Sequence, residues 1–231
     1  MFIGHFGVGL GLKRMGPRVS VGLLIAATAW ADILWTAFLL LGWEHARISI
    51  GNTKFTPLEL YDYPCSHSLL FLMLWATALA LAYRAFRADF WGAVAIWIGV
   101  VSHWVLDWIT HRPDMPLYPN SLKYGLGLWN SIAGTLAVEL AIFAAGVWLY
   151  ASCTRARDRI GRYGFWAYVV VLLVLYIGDR FSGPPGSMRE IATTGLTATL
   201  VLLAWPWWFD RHREPAVTHT LPMLHPEEHK T

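Results

Sequence analysis

The sequence predicts an all-α polytopic membrane bundle of about six transmembrane helices, preceded by a short N-terminal re-entrant or interfacial helix. Three observations predict it. Of its 231 residues 56% are hydrophobic and only 14% charged, against roughly a quarter charged in a soluble domain. Several apolar runs reach the ~20 residues that a helix needs to cross a ~30 Å hydrocarbon core. The basic residues gather in short clusters beside those runs, as in loops that flank a bilayer.

Taken in order, residues 1–12 are apolar but too short to cross, so they form the re-entrant or interfacial helix, a geometry that works only if protein covers its free ends. The charges of MFIGHFGVGLGLKR follow the apolar stretch instead of preceding it, so it is not expected to be cleaved. Gly7, Gly9 and Gly11 lack the βαβ context of a nucleotide loop and are read as a small-residue packing face. The spans follow at Val21–Trp43, Ser66–Tyr83, Phe90–Thr110, Leu128–Tyr150, Tyr163–Gly178 and Ile191–Phe209, each apolar around the helix. Together, 1–210 make a single integral membrane domain, and 211–231, with proline and no periodicity, a disordered polar tail. His219, His225 and His229 of that tail are read as solvated.

Twelve of the 18 Lys and Arg residues fall on the side holding 13–18, 84–89, 152–162 and the tail. That side, with both termini, is expected in the cytoplasm. The net charge of +3 and pI of 9.0 then reflect membrane topology and not a nucleic-acid surface. Cys65 and Cys153 lie far apart with no CxxC neighbour, which gives little support to a disulfide framework or thiolate metal site, and they are read as inert.

Ionisable groups inside a span cost roughly 2.5–3.5 kcal/mol each and usually face the bundle interior with a partner. Here they concentrate: Asp32 midway along the first span, His67 at the start of the second, and His103, Asp107 and His111 in SHWVLDWITH of the third. The spacing 103, 107, 111 sets imidazole, carboxylate and imidazole on one helical face, a turn apart. Such nitrogen and oxygen donors suit zinc and similar divalent ions, which lower the pKa of a bound water. By rise per residue Asp32 and His103 both lie near mid-bilayer, and His5 would sit ~12 Å above the cytoplasmic boundary if the N-terminal helix folds back.

His5, Asp32, the Ser66-His67-Ser68 element and His103 with Asp107 together resemble the predicted membrane-bound metal-dependent hydrolases over roughly the first half of the chain. That family's pattern is an early His, an Asp closing an apolar stretch, a T/S-H-S element and a helix with H-x-x-x-D. The order of ligands is also similar, more faintly, to zinc-dependent phospholipase C. The chain departs from the pattern at Ala31-Asp32-Ile33-Leu34, where a Pro-Asp-x-Asp element is usual, and before the SHS element, where YDYPC replaces an Arg and offers Asp62. The resemblance implies a divalent metal, zinc being the expected ion, on His5, Asp32, His67, His103 and Asp107.

Catalytic roles fall to His111, as ligand or acid/base, and to Glu139, a mid-span carboxylate read as a structural acid, a partner for a base or a site acid. Asp62 is read as a loop charge, Glu44 and His45 as water-facing, Asp114 as a loop former or the mouth of a site, and Asp210 with His212 as part of an interfacial belt. The expected activity is metal-dependent hydrolysis of a phosphoester in a membrane lipid or amphiphile that enters sideways. The alternatives are a non-enzymatic transporter or ion or proton pathway, against which the lack of an internal repeat counts, and a purely structural polar core.

Overall fold

The computed structural model describes residues 1–216 and is an all-α bundle. Its order is α1 (Ile3–Gly11), α2 (Val21–Thr28), α3 (Trp30–Leu41), β1 (His45–Ile48), β2 (Leu58–Asp62), α4 (Pro64–His67), α5 (Leu69–Arg87), α6 (Phe90–Thr110), β3 (Met115–Pro116), β4 (Lys123–Tyr124), α7 (Ile132–Cys153), β5 (Thr154–Ala156), α8 (Phe165–Gly178), α9 (Met188–Asp210) and β6 (Arg213–Pro215). By length and composition α5, α6, α7, α9 and the segment Ile160–Phe181 can each cross a membrane, and the bent pair of α2 with α3 passes the same test when taken together. Leu81, Trp148, Val174 and Leu200 stand exposed on these helices, which is the apolar outer face that lipid covers.

The expected straight span at 21–43 is instead two helices, bent by 59° at Ala29. The expected span from Ser66 likewise begins later: α4 closes at His67, and the Ser68 hydroxyl caps α5 by accepting from Phe71 N–H. The third span has the expected bounds, Phe90–Thr110. Residues 44–65 hold the antiparallel β1–β2 hairpin, with Arg47 opposite Glu59.

The N-terminal helix α1 is buried in the bundle, as the re-entrant alternative requires, and not laid on its surface. It packs mainly on α7, where Gly7 and Gly146 face each other. Their missing side chains let the two backbones touch: a Cβ on Gly7 would lie 2.7 Å from Phe143 Cα and 2.8 Å from Ile142 O. The GxGxG run is therefore a packing face, as expected.

At the end of the bundle opposite the hairpin, Lys13 Nζ reaches Asp210 Oδ2 at 2.8 Å, and Tyr150 OH donates to Asp210 Oδ1 at 2.7 Å. Asp210, expected at an interface, is a buried clamp because the Val21 N–H also needs its carboxylate. Strand β6 pairs with β5, and the Arg213 guanidinium lies over the rings of Tyr150 and Phe165. The polar tail thus starts with ordered residues where disorder was expected from 211, and residues 217–231, with the three tail histidines, lie outside the described residues.

Gly7→Val is expected to lower the melting temperature of the detergent-solubilised protein by overpacking the α1–α7 contact, at a cost of about 1–3 kcal/mol. Gly178→Ala, with open space around a helical position, is expected to raise it slightly, by up to about 1 kcal/mol. Equal effects in a thermal melt would refute the assigned packing.

Candidate metal centre

Helix α6 is the rail of the site. Asp89 starts it by accepting from Gly92 N–H, and after Thr110 the backbone of His111 turns extended. His103 and Asp107 therefore face inward one turn apart, and His111 follows at the helix exit, its N–H still bonded to the Asp107 carbonyl.

The other elements bring donors to this rail. The break at Ala29 leaves the Thr28 carbonyl to accept from His103 Nδ1 at 2.7 Å, a close approach that Gly99 permits by carrying no side chain against Ala27. The same break puts Asp32 in the first turn of α3. Helix α4 ends on His67. Helix α1 carries His5, whose ring stacks on that of His103 at 3.9 Å. Glu139 of α7 holds the start of α1 by accepting from Phe2 N–H at 2.7 Å and Gly4 N–H at 3.3 Å, as a carboxylate does at a helix N-terminus.

Distances converge. From Asp107 Oδ2, the Nε2 atoms of His103, His111 and His67 lie at 3.1, 3.4 and 3.7 Å. Asp32 Oδ1 lies 3.7 Å from His67 Nε2 and 3.8 Å from His103 Nε2. Asp107 Oδ1 faces His5 Nε2 at 3.1 Å and the Met1 nitrogen at 2.5 Å. Two groups of possible ligands, His5–His103–Asp107 and Asp32–His67–His103, share His103.

The hydrogen bonds on the far sides of the rings decide which nitrogens carry protons. His103 Nδ1 meets a carbonyl, which can only accept, so Nδ1 is the protonated nitrogen. Ser66 Oγ lies 2.5 Å from Glu44 Oε2 and 2.7 Å from His67 Nδ1. Its single proton goes to the carboxylate, so Oγ accepts from His67 Nδ1–H. His111 Nδ1 donates to Asp114 Oδ1 at 2.9 Å, and Tyr63 OH donates to the same oxygen at 2.9 Å. Burial, and then the adjoining Asp114 carboxylate, push the Tyr63 phenol well above its ordinary pKa, which keeps it a donor.

In the neutral rings, three Nε2 lone pairs are thus aimed at carboxylate oxygens that are themselves acceptors. His103 Nε2 is fully buried with no hydrogen-bond partner among the described residues. A cation placed among them would meet either His103 and His67 with Asp32, or His103 and His5 with Asp107, the two sets whose ligand atoms lie within 4.8 Å of one another. Ligands ~2.1 Å from an ion and near the tetrahedral angle stand roughly 3.4 Å apart, and the Nε2-to-carboxylate separations of 3.1–3.8 Å bracket that value.

All five residues expected as ligands, with His111, are therefore brought together, while Glu139 stands behind α1 as its anchor. Asp62 pairs with His45 in the exposed hairpin, as a loop charge. Glu44, expected to face water, is buried instead, because Ser66 N–H and Oγ both bond it. Local reading missed Glu44 and its link through Ser66 to His67: the contact spans 22 positions and leaves no periodic trace. Asp114 had a readable signal, a carboxylate three residues after His111, across a proline.

A protein-family profile described as YdjM inner membrane protein matches residues 64–182. No curated protein and no solved structure matches the chain. The matched stretch includes His67, His103, Asp107 and His111, and excludes His5 and Asp32.

The Tyr63–Asp114–His111 network yields a ranked expectation. Asp114→Ala strands two buried donors and should destabilise by about 1–3 kcal/mol, whereas Tyr63→Phe removes one donor and should cost about 1 kcal/mol. Thermal unfolding of the two variants in the same detergent checks the order; a larger loss for Tyr63→Phe would overturn it.

Proposed function

The chain belongs to the YdjM inner membrane protein family, and within that membrane setting we propose that it is a metal-dependent hydrolase acting on a phosphoester bond of a lipid or other amphiphile. It is an inner-membrane protein in contact with lipid. The observation that carries the reading is the set of three Nε2 atoms whose Nδ1 partners are already fixed and which meet at Asp107 and Asp32. Residues of this kind and spacing fit a divalent cation such as zinc, held by Asp32, His67, His103 and Asp107, with His5 and His111 adjoining. Such a cation supplies Lewis-acid polarisation of the scissile group and activation of water.

The chain's own residues divide the remaining work. Glu44 through Ser66, Asp114, and the Thr28 carbonyl fix the tautomers of His67, His111 and His103. Glu139, by holding α1, sets the position of His5. The Asp32 side chain is 42% exposed, while those of His67, His103 and Asp107 are at most 4%. The open side of the cluster is therefore at Asp32 along α3, and a sideways approach there would suit a substrate already in the bilayer. The basic-residue count supports a cytoplasmic placement of the end that holds Lys13 and Asp210.

The broken span at Ala29 favours a second reading, an ion pathway, because unwound helix ends are common at transporter ion sites. Metal content and lipid hydrolysis separate the two. About one equivalent of metal is expected in the purified wild type and none in a His103→Ala/Asp107→Ala variant, with Ser66→Ala weakening affinity ~10–100-fold. Equal and negligible metal in wild type and variant would overturn both readings. Metal uptake into proteoliposomes, with no hydrolysis of any phospholipid or isoprenoid phosphate offered, would overturn the hydrolase alone.

A further inference from the structure

A second hollow, with a volume of about 810 Å³, opens between α2, the α5–α6 turn and α9 and shares no residue with the metal centre. Its floor is apolar, with Leu23, Ala26 and Leu203, and its rim carries Arg18, Arg87 and Trp207. Both arginines are exposed, and neither makes an ion pair among the described residues. A third guanidinium, that of Arg211, stacks on Trp207 at 4.8 Å.

The rim lies where spans begin and end: α2 starts at Val21, α5 ends at Arg87 and α6 starts at Phe90. From that level, the rise from Ser20 to Ala26 carries the groove ~9 Å toward the bilayer centre. A cationic rim with an aromatic beside it and an apolar floor below has the polarity profile of a phospholipid, from phosphate to first acyl carbons. The one carboxylate in the lining, Asp89, accepts from Gly92 N–H at 3.1 Å and from Tyr83 OH at 3.2 Å. It is committed to the cap of α6 and offers little to a choline or ethanolamine headgroup.

We propose that this groove is a binding site for an anionic phospholipid, its phosphate held between Arg18 and Arg87 and its acyl chains laid on Leu23, Ala26 and Leu203. The apolar floor excludes a free phosphate as the intended occupant, and the unpaired cations select a net negative headgroup over a zwitterionic one. The site is independent of the metal centre, so its ligand is structural or regulatory whatever the centre does.

Native mass spectrometry of the full-length protein, equilibrated with equimolar phosphatidylglycerol and phosphatidylcholine in detergent, tests it. Wild type should retain phosphatidylglycerol preferentially. In Arg18→Gln/Arg87→Gln the preference should fall about twenty-five-fold, about fivefold for each guanidinium. Leu23→Trp, a change at an exposed position that obstructs the floor but keeps the charges, should reduce retention of both lipids. Arg155→Gln/Arg157→Gln, whose guanidiniums pair with Glu214 elsewhere, should behave as wild type. An unchanged lipid ratio in Arg18→Gln/Arg87→Gln, displacement of the lipid by millimolar inorganic phosphate, or an equal loss in Arg155→Gln/Arg157→Gln would each overturn the assignment.

Discussion

The architecture around the His/Asp cluster depends on one constraint: each of three buried imidazoles donates its Nδ1 proton outward, which leaves its Nε2 to face a carboxylate. A neutral ring has one donor and one acceptor, so fixing the first fixes the second. The acceptors come from different kinds of structure. For His103 it is a carbonyl released by a helix break, for His67 a serine backed by a buried glutamate, and for His111 a carboxylate in the following loop. None of the three is a residue of the cluster itself, yet each fixes which ring nitrogen faces it.

That constraint gives the irregular parts of the fold a physical reason. A continuous helix through 21–43 would direct the Thr28 carbonyl along its own axis to residue 32, and His103 would lose its acceptor. A second span running unbroken from Ser66 would carry His67 round with it; the separate turn α4 instead points His67 at α6. Buried α1 needs a carboxylate at its N-terminus, and Glu139 meets that need from the neighbouring helix. At the opposite end, Lys13 and Asp210 close the bundle with a buried ion pair whose remaining valences go to Val19, Val21 and Tyr150. Such a pair offsets its own desolvation only when further hydrogen bonds satisfy it, and here Lys13 Nζ has two acceptors and the Asp210 carboxylate three donors.

The helical architecture was legible because lipid demands long apolar runs, and the third span was read to the residue. The clustered polar residues were legible for the converse reason: histidine and aspartate are too costly in hydrocarbon to be there without partners, so Asp32, His103 and Asp107 announce themselves. Glu44 did not, because a charged residue one position past an aromatic at a span end is ordinary in a loop. Only the fold brings Ser66 to it. The bend at Ala29 was equally silent, since VGLLIAATAWADILW contains no proline and its one glycine lies seven residues before the break. The bend is a tertiary decision, sustained by the His103 hydrogen bond and the Gly99 contact.

A proton could satisfy one of the three Nε2 lone pairs, but not the arrangement. Protonating His103 would give a good ion pair to Asp107 Oδ2 and leave the lone pairs of His67 and His111 aimed at the same oxygen, at 3.7 and 3.4 Å. Protonating all three would crowd imidazolium groups in a site from which water is largely excluded, with His5 stacked on His103 as a fourth. A single multivalent cation, as proposed, would remove both problems, because it would accept several lone pairs from different directions at separations near those observed. The partial exposure of Asp32 sets it apart within the cluster: at 42% its side chain is the open one, while those of His67, His103 and Asp107 are closed in by protein, so the proposed reaction would be approached from the Asp32 side.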